Sequence, residues 1–241
     1  SQEELAKLSQ NPVSGLRELE FDFTVFPDVP GTDGTLGSYS LQLVWPFKVN
    51  DDWRLITYTI LPVLHVPAVP PEESVTGLGN TLLNFYFTPN KPTGNLVWGV
   101  GPAVLLPTRS DSELGTDRYG LGPSGLLFYA KNQWSAGVVL QNVWSLGGSG
   151  SNRLNEFGAQ YLFNYNLKDG WFLYSNSTIT ADWDAPSSDR WTVPVGGGAG
   201  KISKLGKQSI STSFQAFANV VRPDDAPRWG LNLQVTLLFP Q

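Results

Sequence analysis

The chain has 241 residues, a formal net charge of −5 and no cysteine. The acidic balance argues against nucleic acid as a partner, and the missing cysteine excludes a disulfide framework, thiolate catalysis and cysteine metal sites. No apolar run approaches the roughly 18–20 residues of a membrane helix. Charged residues nevertheless make up only 15%, against about 25% in a typical soluble domain.

In chain order, residues 1–16, SQEELAKLSQNPVSGL, read as a short helix followed by a Pro-interrupted turn. The start lacks a basic region and an apolar region, and the chain lacks Met, so it reads as a mature form from which a signal peptide has been removed. The helix, with Leu5, Leu8, Val13 and Leu16, is expected either to lie in the periplasm, free or docked on a protein partner, or to fold into a lumen as a plug. Residues 17–241 form the second region. Period-two apolar patterning there predicts about twelve strands, at 17–27, 37–47, 53–65, 76–88, 95–107, 117–130, 133–146, 154–167, 170–183, 190–202, 207–221 and 228–240.

The first strand sets Leu19, Phe21, Phe23 and Val25 against Glu20, Asp22 and Thr24, and the last sets Leu231, Leu233, Val235 and Leu237 against Asn232, Gln234 and Thr236. Such alternation suits both a soluble sandwich or lectin, with leucine inside, and a membrane barrel, with leucine facing lipid. The connections separate the two. They alternate strictly between short (KVNDD, TPNKPTG, KNQ, LKDG, SKLGK) and long (DVPGTDGTLG, VPAVPPEESVTG, TRSDSELGTD, LGGSGSNR, DAPSSD, RPDDAP). Outer-membrane barrels sort loops this way, with tight periplasmic turns and longer external loops. The expected fold is therefore all-β, a transmembrane up-and-down antiparallel β-barrel in the outer membrane of a Gram-negative bacterium.

Aromatic placement agrees. Trp53, Trp134 and Trp171 follow short turns, while Tyr119, Trp144, Trp183, Trp191 and Trp229 adjoin long loops. That pattern is expected of two belts at the membrane interfaces. Lysines beyond Lys7 sit at short turns, whereas Arg118, Arg153, Arg190 and Arg228 sit at the long-loop rim. Guanidinium binds phosphate as a bidentate fork, so these arginines are candidates for contacts with lipopolysaccharide, and membrane lipids are the expected surroundings.

If the apolar faces meet lipid, the opposite faces line the interior with Glu20, Asp22, Gln42, Arg54, Tyr58, Asn80, Asn84, Gln160, Asn164, Asn176, Gln215, Asn219, Asn232 and Gln234, together with aromatics such as Phe172, Tyr174 and Phe217. This lining is mostly amide and hydroxyl. About twelve strands enclose a channel narrower than that of the large porins. The third strand, LITYTILPVL, is apolar on both faces in places, which implies that the interior there meets something other than water. VPVGGGAGKI superficially resembles a phosphate loop but lacks its ending; small residues facing a crowded interior explain it better. His65 is the sole histidine and has no serine two residues away, which argues against a hydrolase. Loop carboxylates such as those in SDSELGTD match no calcium loop and read as turn chemistry. No cofactor or metal is expected.

Several segments together, GVGPAVLLPT, DRYGLGPSGLLFYAKNQWSAGVVLQNVWSLGG, LFNYNLKDGWFLYSNSTITADW, DRWTVPVGGGAGKI and NVVRPDDAPRWGLNLQVTLLFP, with QNPVSGL and DDWRLITYTILP nearer the start, resemble a Gram-negative outer-membrane family. That family is labelled transporter-like, or meta-pathway phenol degradation. The resemblance implies a barrel and passage of aromatic or other small apolar compounds. Members commonly carry ITRTI where this chain has ITYTI, so Tyr58 stands where the family places a basic residue.

The expected function is a porin-like passive channel for small neutral or aromatic solutes. A plugged structural or partner-binding barrel is the alternative, and an outer-membrane hydrolase the outside one. The last strand resembles an assembly signal ending at Phe239, displaced inward by Pro240 and Gln241.

Overall fold

The protein is described here by a computed structural model covering residues 2–69, 73–148 and 153–239; Pro240 and Gln241, which follow the expected assembly signal, lie outside the described residues. A short helix, α1 (Gln2–Ser9), precedes the strands β1 (Arg17–Phe26), β2 (Leu36–Lys48), β3 (Trp53–Val66), β4 (Val75–Leu78), β5 (Thr81–Pro89) and β6 (Leu96–Leu106). Then follow β7 (Arg118–Lys131), β8 (Trp134–Gly148), β9 (Asn155–Asn166), β10 (Trp171–Asp182), β11 (Trp191–Leu205), β12 (Gln208–Val221) and β13 (Trp229–Phe239).

Each strand runs antiparallel to its neighbours, and β1 pairs with β13, which closes the sheet on itself. Twelve strands make the ring, with β4 as an additional segment hydrogen-bonded to β3 beyond the end of β5. Closure removes both sheet edges, the condition for a sheet to stand in hydrocarbon without unpaired backbone groups.

The period-two pattern decides which way each residue points. At the closing seam, Phe21 opposes Val235 and Phe23 opposes Leu233, while Asp22 opposes Gln234 and Thr24 opposes Asn232. Phe21, Phe23 and Leu233 are exposed on the outside, whereas Asn232 and Thr236 are buried inside. A soluble protein would bury the first set and expose the second. The inverted arrangement recurs around the ring: Phe87, Val100, Leu127, Leu140, Phe163, Leu173, Val195 and Phe214 are exposed on strands whose inward faces carry Asn84, Ser124, Asn164 and Gln215. The outer wall is a hydrocarbon surface, as a membrane barrel requires.

Short turns join the strands at one end. Asn132 takes a left-handed conformation (φ 55°) between β7 and β8, a geometry in which Asn is tolerated and most side chains are not. The glycine run of β11 has a packing reason: a Cβ at Gly200 would overlap the Phe172 ring, so glycine lets that ring lie across the inside of the wall.

The structure departs from the expected pattern at the fourth strand. The span 76–88 is broken between β4 and β5, at Gly79 and Asn80. Asn80 Nδ2 donates to Leu106 O (3.2 Å) and Thr116 O (2.7 Å), and its Oδ1 accepts from Thr116 N (2.6 Å). Thr108 Oγ1 donates to Gly79 O at 2.8 Å. The long loop after β6 thus folds back and takes the backbone groups that a continuous strand would have paired with its neighbour.

Helix α1 sits inside the barrel at the short-turn end, against β9, β10, β11 and the turn Lys168–Gly170. Leu5, Ala6 and Leu16 pack with Phe172, Tyr174, Ile202 and Leu238, and Val13 packs with Ile56, Tyr86 and Leu126. The described part of this segment thus packs on inward-facing side chains of the wall. It also accounts for the doubly apolar third strand, since Ile56 meets Val13 rather than water.

Candidate functional site

Above the plug lies a cavity of about 680 Å³. Its floor is Ser9–Pro12 and Ser14 of the plug, and it extends to Phe26, Leu36, Asn219 and Pro227 at the long-loop end. Of the residues expected in the lumen, Glu20, Asp22, Gln42, Tyr58, Asn84, Gln160, Asn164, Asn176, Gln215, Asn219, Asn232 and Gln234 line this cavity. So do Phe172, Tyr174 and Phe217, with Ile60, Leu82 and Leu162 adding apolar surface.

Two expected residues do not line it. Asn80 is spent on the β4–β5 break, because an amide bracketed by the carbonyls of Leu106 and Thr116 and the N–H of Thr116 is a fastener rather than pore lining. Arg54 faces inward but lies at the plug's level, where Nη1 donates to Ser14 O (3.2 Å) and Nη2 to Asn90 O (3.1 Å). It clamps the plug to the wall.

The inner wall is organised by strand register. On the β1–β13 seam, Asp22 Oδ2 accepts from Asn232 Nδ2 (2.8 Å) and Gln234 Nε2 (2.9 Å), and Glu20 Oε2 accepts from Thr236 Oγ1 (3.1 Å). Polar partners opposite or diagonal to one another therefore zip the barrel shut from inside. Tyr58 donates its hydroxyl to Gln42 on the neighbouring strand, and Gln160 Nε2 donates to Asn176 Oδ1 at 3.0 Å.

One stretch of wall has no backbone ladder. β10 and β11 pair from Trp171↔Lys201 to Tyr174↔Gly198 and again at Thr180↔Thr192, with no pairing between. Pro194 has no N–H to give, and side chains take up the carbonyls that this interruption frees. Ser175 Oγ donates to Gly196 O (2.6 Å), Tyr161 OH to Pro194 O (3.2 Å) and Gln215 Nε2 to Asn176 O (2.6 Å).

A second cavity of about 510 Å³ opens at the short-turn end, lined by Lys7, Asn95, Lys131, Ser135 and Asn166 among others. Gln10 lines both cavities. Its amide forms a reciprocal pair with Asn166, Nε2 donating to Oδ1 at 2.9 Å and Oε1 accepting from Nδ2 at 3.0 Å, while Ser135 Oγ adds a bond to the same Oε1 at 3.3 Å. Gln10 is thus the residue at which the linings of the two spaces meet.

The expected belt aromatics stand at the strand ends. Trp53, Trp134 and Trp171 are exposed at the short-turn end, and Tyr119, Trp144, Trp183 and Trp229 at the other, where Trp191 packs edge-on against Trp183 at 5.4 Å. Arg118, Arg153, Arg190 and Arg228 share the long-loop end. Arg190 lies 5.9 Å from the Trp183 ring and donates to Ala185 O, and Arg228 stands 3.7 Å from Asp28. Arg118 begins β7, and Arg153, Arg190 and Arg228 lie just before β9, β11 and β13. They form a spaced rim rather than one pocket.

Sequence reasoning missed Glu18 and the cavity-lining residues Ser9, Gln10, Asn11, Pro12 and Ser14 of the N-terminal segment. Glu18 lines the cavity with Glu20 and Asp22. It shares their parity on β1, so the same alternation would have found it.

A closed β-barrel with an apolar outer wall, aromatic girdles and a polar, partly plugged interior defines an outer-membrane barrel protein. The chain belongs to the family described as "Putative MetA-pathway of phenol degradation", whose profile matches residues 21–239. Comparison with curated proteins finds no match. Among solved structures it is similar to an outer-membrane channel from Pseudomonas putida F1, at 18% identity, covering 93% of this chain and 94% of that one with a TM-score of 0.68. It is also similar to the porin NanC (12% identity, 93% and 100% coverage, TM-score 0.53) and to the porin KdgM (8%, 92% and 99%, 0.51). At these identities the likeness concerns the fold.

Proposed function

We propose that the protein is a passive outer-membrane channel for small neutral or aromatic solutes, with the short-turn end toward the periplasm and the long loops outside. The observation that carries this reading is the pair of cavities meeting at Gln10. A solute-sized chamber runs inward from the long-loop end, a second space lies at the opposite end, and one hydrogen-bonded amide pair stands between them. Side-chain hydrogen bonds of this kind are each worth about 1 kcal/mol, so the partition opens at thermal cost. The chamber's mixture of amides with Phe172, Tyr174, Phe217 and aliphatic side chains offers weak sites for such solutes without a strong trap. The solved structures similar in fold include an outer-membrane channel and two porins.

Single-channel recording in planar bilayers tests the proposal. The full chain should show steady conductance, and Gln10→Ala should raise the open-to-closed ratio by about 5–30-fold, the factor that 1–2 kcal/mol commands. Silence of the full chain that persists after removal of residues 2–16 would overturn it. That outcome belongs to the second reading, a plugged structural or partner-binding barrel, which is favoured by the number of contacts holding the plug. A hydrolase reading meets His65 on β3 at the long-loop end with its Nδ1 2.7 Å from Thr76 Oγ1, away from the chamber.

The arginine rim is part of the proposal. Arg118, Arg190 and Arg228 each directly precede an aromatic residue at the outer edge, an arrangement suited to the phosphates of lipopolysaccharide lying against an aromatic girdle.

A further inference from the structure

We infer that the chamber binds organic ammonium ions, with the cationic head against the carboxylates of β1 and an apolar body against the aromatic and aliphatic lining. This rests on the lumen being the solute path. The first observation is one of charge. Glu18, Glu20 and Asp22 all face the chamber, and among the described residues no lysine, arginine or histidine lines it. Arg54, the inward-facing guanidinium below, is spent on the carbonyls of Ser14 and Asn90. Three carboxylates on one strand with no internal counter-ion favour a cation brought from outside.

The second observation is independent of charge. Asn84, Asn232 and Gln215 line the same chamber, are only 3%, 5% and 6% exposed, and each has an amide oxygen with no hydrogen-bond partner among the described residues. For two of them the orientation follows from chemistry. Asn232 Nδ2 serves the Asp22 carboxylate and Gln215 Nε2 serves the Asn176 carbonyl, both acceptor-only groups, so the oxygen must be the atom left over. Glu18 likewise receives no hydrogen bond from the described residues, whereas Glu20 and Asp22 receive theirs from β13. The wall of the chamber therefore carries more acceptors than its own donors satisfy, and buried acceptors left unpaired are costly.

A primary ammonium supplies three donors and a positive charge together. The chamber is far larger than a metal ion needs, within the roughly 300–1,000 Å³ range of organic-ligand pockets, and Ile60, Leu82, Leu162 and Phe172 give it an apolar side. An aryl-alkyl ammonium fits both halves. A neutral alcohol satisfies acceptors but gains nothing from charge, and a carboxylate is repelled.

The test is titration calorimetry on the full chain in non-ionic detergent with 2-phenylethylammonium, 2-phenylethanol and 3-phenylpropionate. The ammonium should bind about tenfold or more tightly than the alcohol, as charge-assisted hydrogen bonds imply, and the carboxylate should not bind. Glu18→Gln, which removes a charge without removing a protein hydrogen bond, should weaken ammonium binding by about three- to tenfold and leave alcohol binding unchanged. Retained heat-modifiable gel mobility shows the variant to be folded, and Glu113→Gln on an outer loop serves as control. Equal binding of ammonium and alcohol, or a folded Glu18→Gln protein with wild-type ammonium affinity, would overturn the inference. Conductance of the same preparation separates the two proposals. A silent barrel that prefers ammonium sinks the channel and keeps the binding site, while a conducting barrel without that preference does the reverse.

Discussion

Asp22 carries two duties that pull on the same atoms. Its carboxylate accepts from Asn232 and Gln234 at 2.8 and 2.9 Å, and so joins the last strand to the first. Hydrogen bonds to a charged group contribute about 1.5–3 kcal/mol each, and stranding a buried donor costs about as much. Asp22→Ala should therefore lower the temperature at which the folded band converts to the unfolded one on unheated gels, by a loss of about 2–4 kcal/mol. Asp22→Asn, which keeps one acceptor oxygen, should fall between that variant and the wild type. An unaltered conversion temperature for the alanine variant would mean that backbone pairing alone holds the seam. Gln10 sits at the other extreme: its partners Asn166 and Ser135 lie on β9 and β8, so its bonds cost little in barrel stability and act on the plug.

The plug shows how an element borrows its stability. Helix α1 has eight residues, below the roughly 12–15 at which an isolated helix is even marginal in water. Leu5 and Ala6 hold it by burial against Phe172, Tyr174, Ile202 and Leu238. Leu5→Asp places a charge in that cluster and should unseat the segment while the barrel stays closed. Limited proteolysis should then trim residues 2–16 at least several-fold faster, with the barrel band retained, because exposed short segments are cleaved from their open form. Equal trimming rates in wild type and variant would show that α1 is not held by this face. The β4–β5 break belongs to the same scale: Asn80 trades strand continuity for three hydrogen bonds to the end of β6 and the loop after it.

As a whole, the molecule is an inside-out barrel whose outer wall must match lipid at two different surfaces. Aromatic side chains mark both rims, and basic groups differ between them. Lys201 stands 4.9 Å from the Trp171 ring and Arg17 4.6 Å from Trp45 toward the short-turn end, while Arg190 neighbours Trp183 at the other. The proposed lipopolysaccharide contact leads to a direct measurement. Changing Arg118, Arg190 and Arg228 together to Ala should strip most co-purifying lipopolysaccharide from the detergent-solubilised protein, with conductance kept. Retention equal to wild type would leave the rim as ordinary loop charge.

Strand existence, direction of each side chain and the two loop classes were legible in the residues, because alternation and turn chemistry act over two to five positions. Twelve of the expected lining residues face the chamber for that reason, and Glu18 was readable by the same parity. Other features rested on contacts distant in sequence. Asn80 bonds to residues 26 and 36 positions away, and Arg54 bonds to a carbonyl 40 positions upstream. Gln10 pairs with Asn166, which lies 156 positions away. Local pattern thus determined that this chain alternates between a lipid face and a polar face. Tertiary structure alone decided that the sheet closes through β1 and β13, that residues 2–16 pack at its short-turn end, and that three carboxylates on one strand share a chamber with no basic side chain among its described lining residues. The physical reason is that burial and hydrogen-bond satisfaction inside a barrel are properties of the closed ring, which no single strand contains.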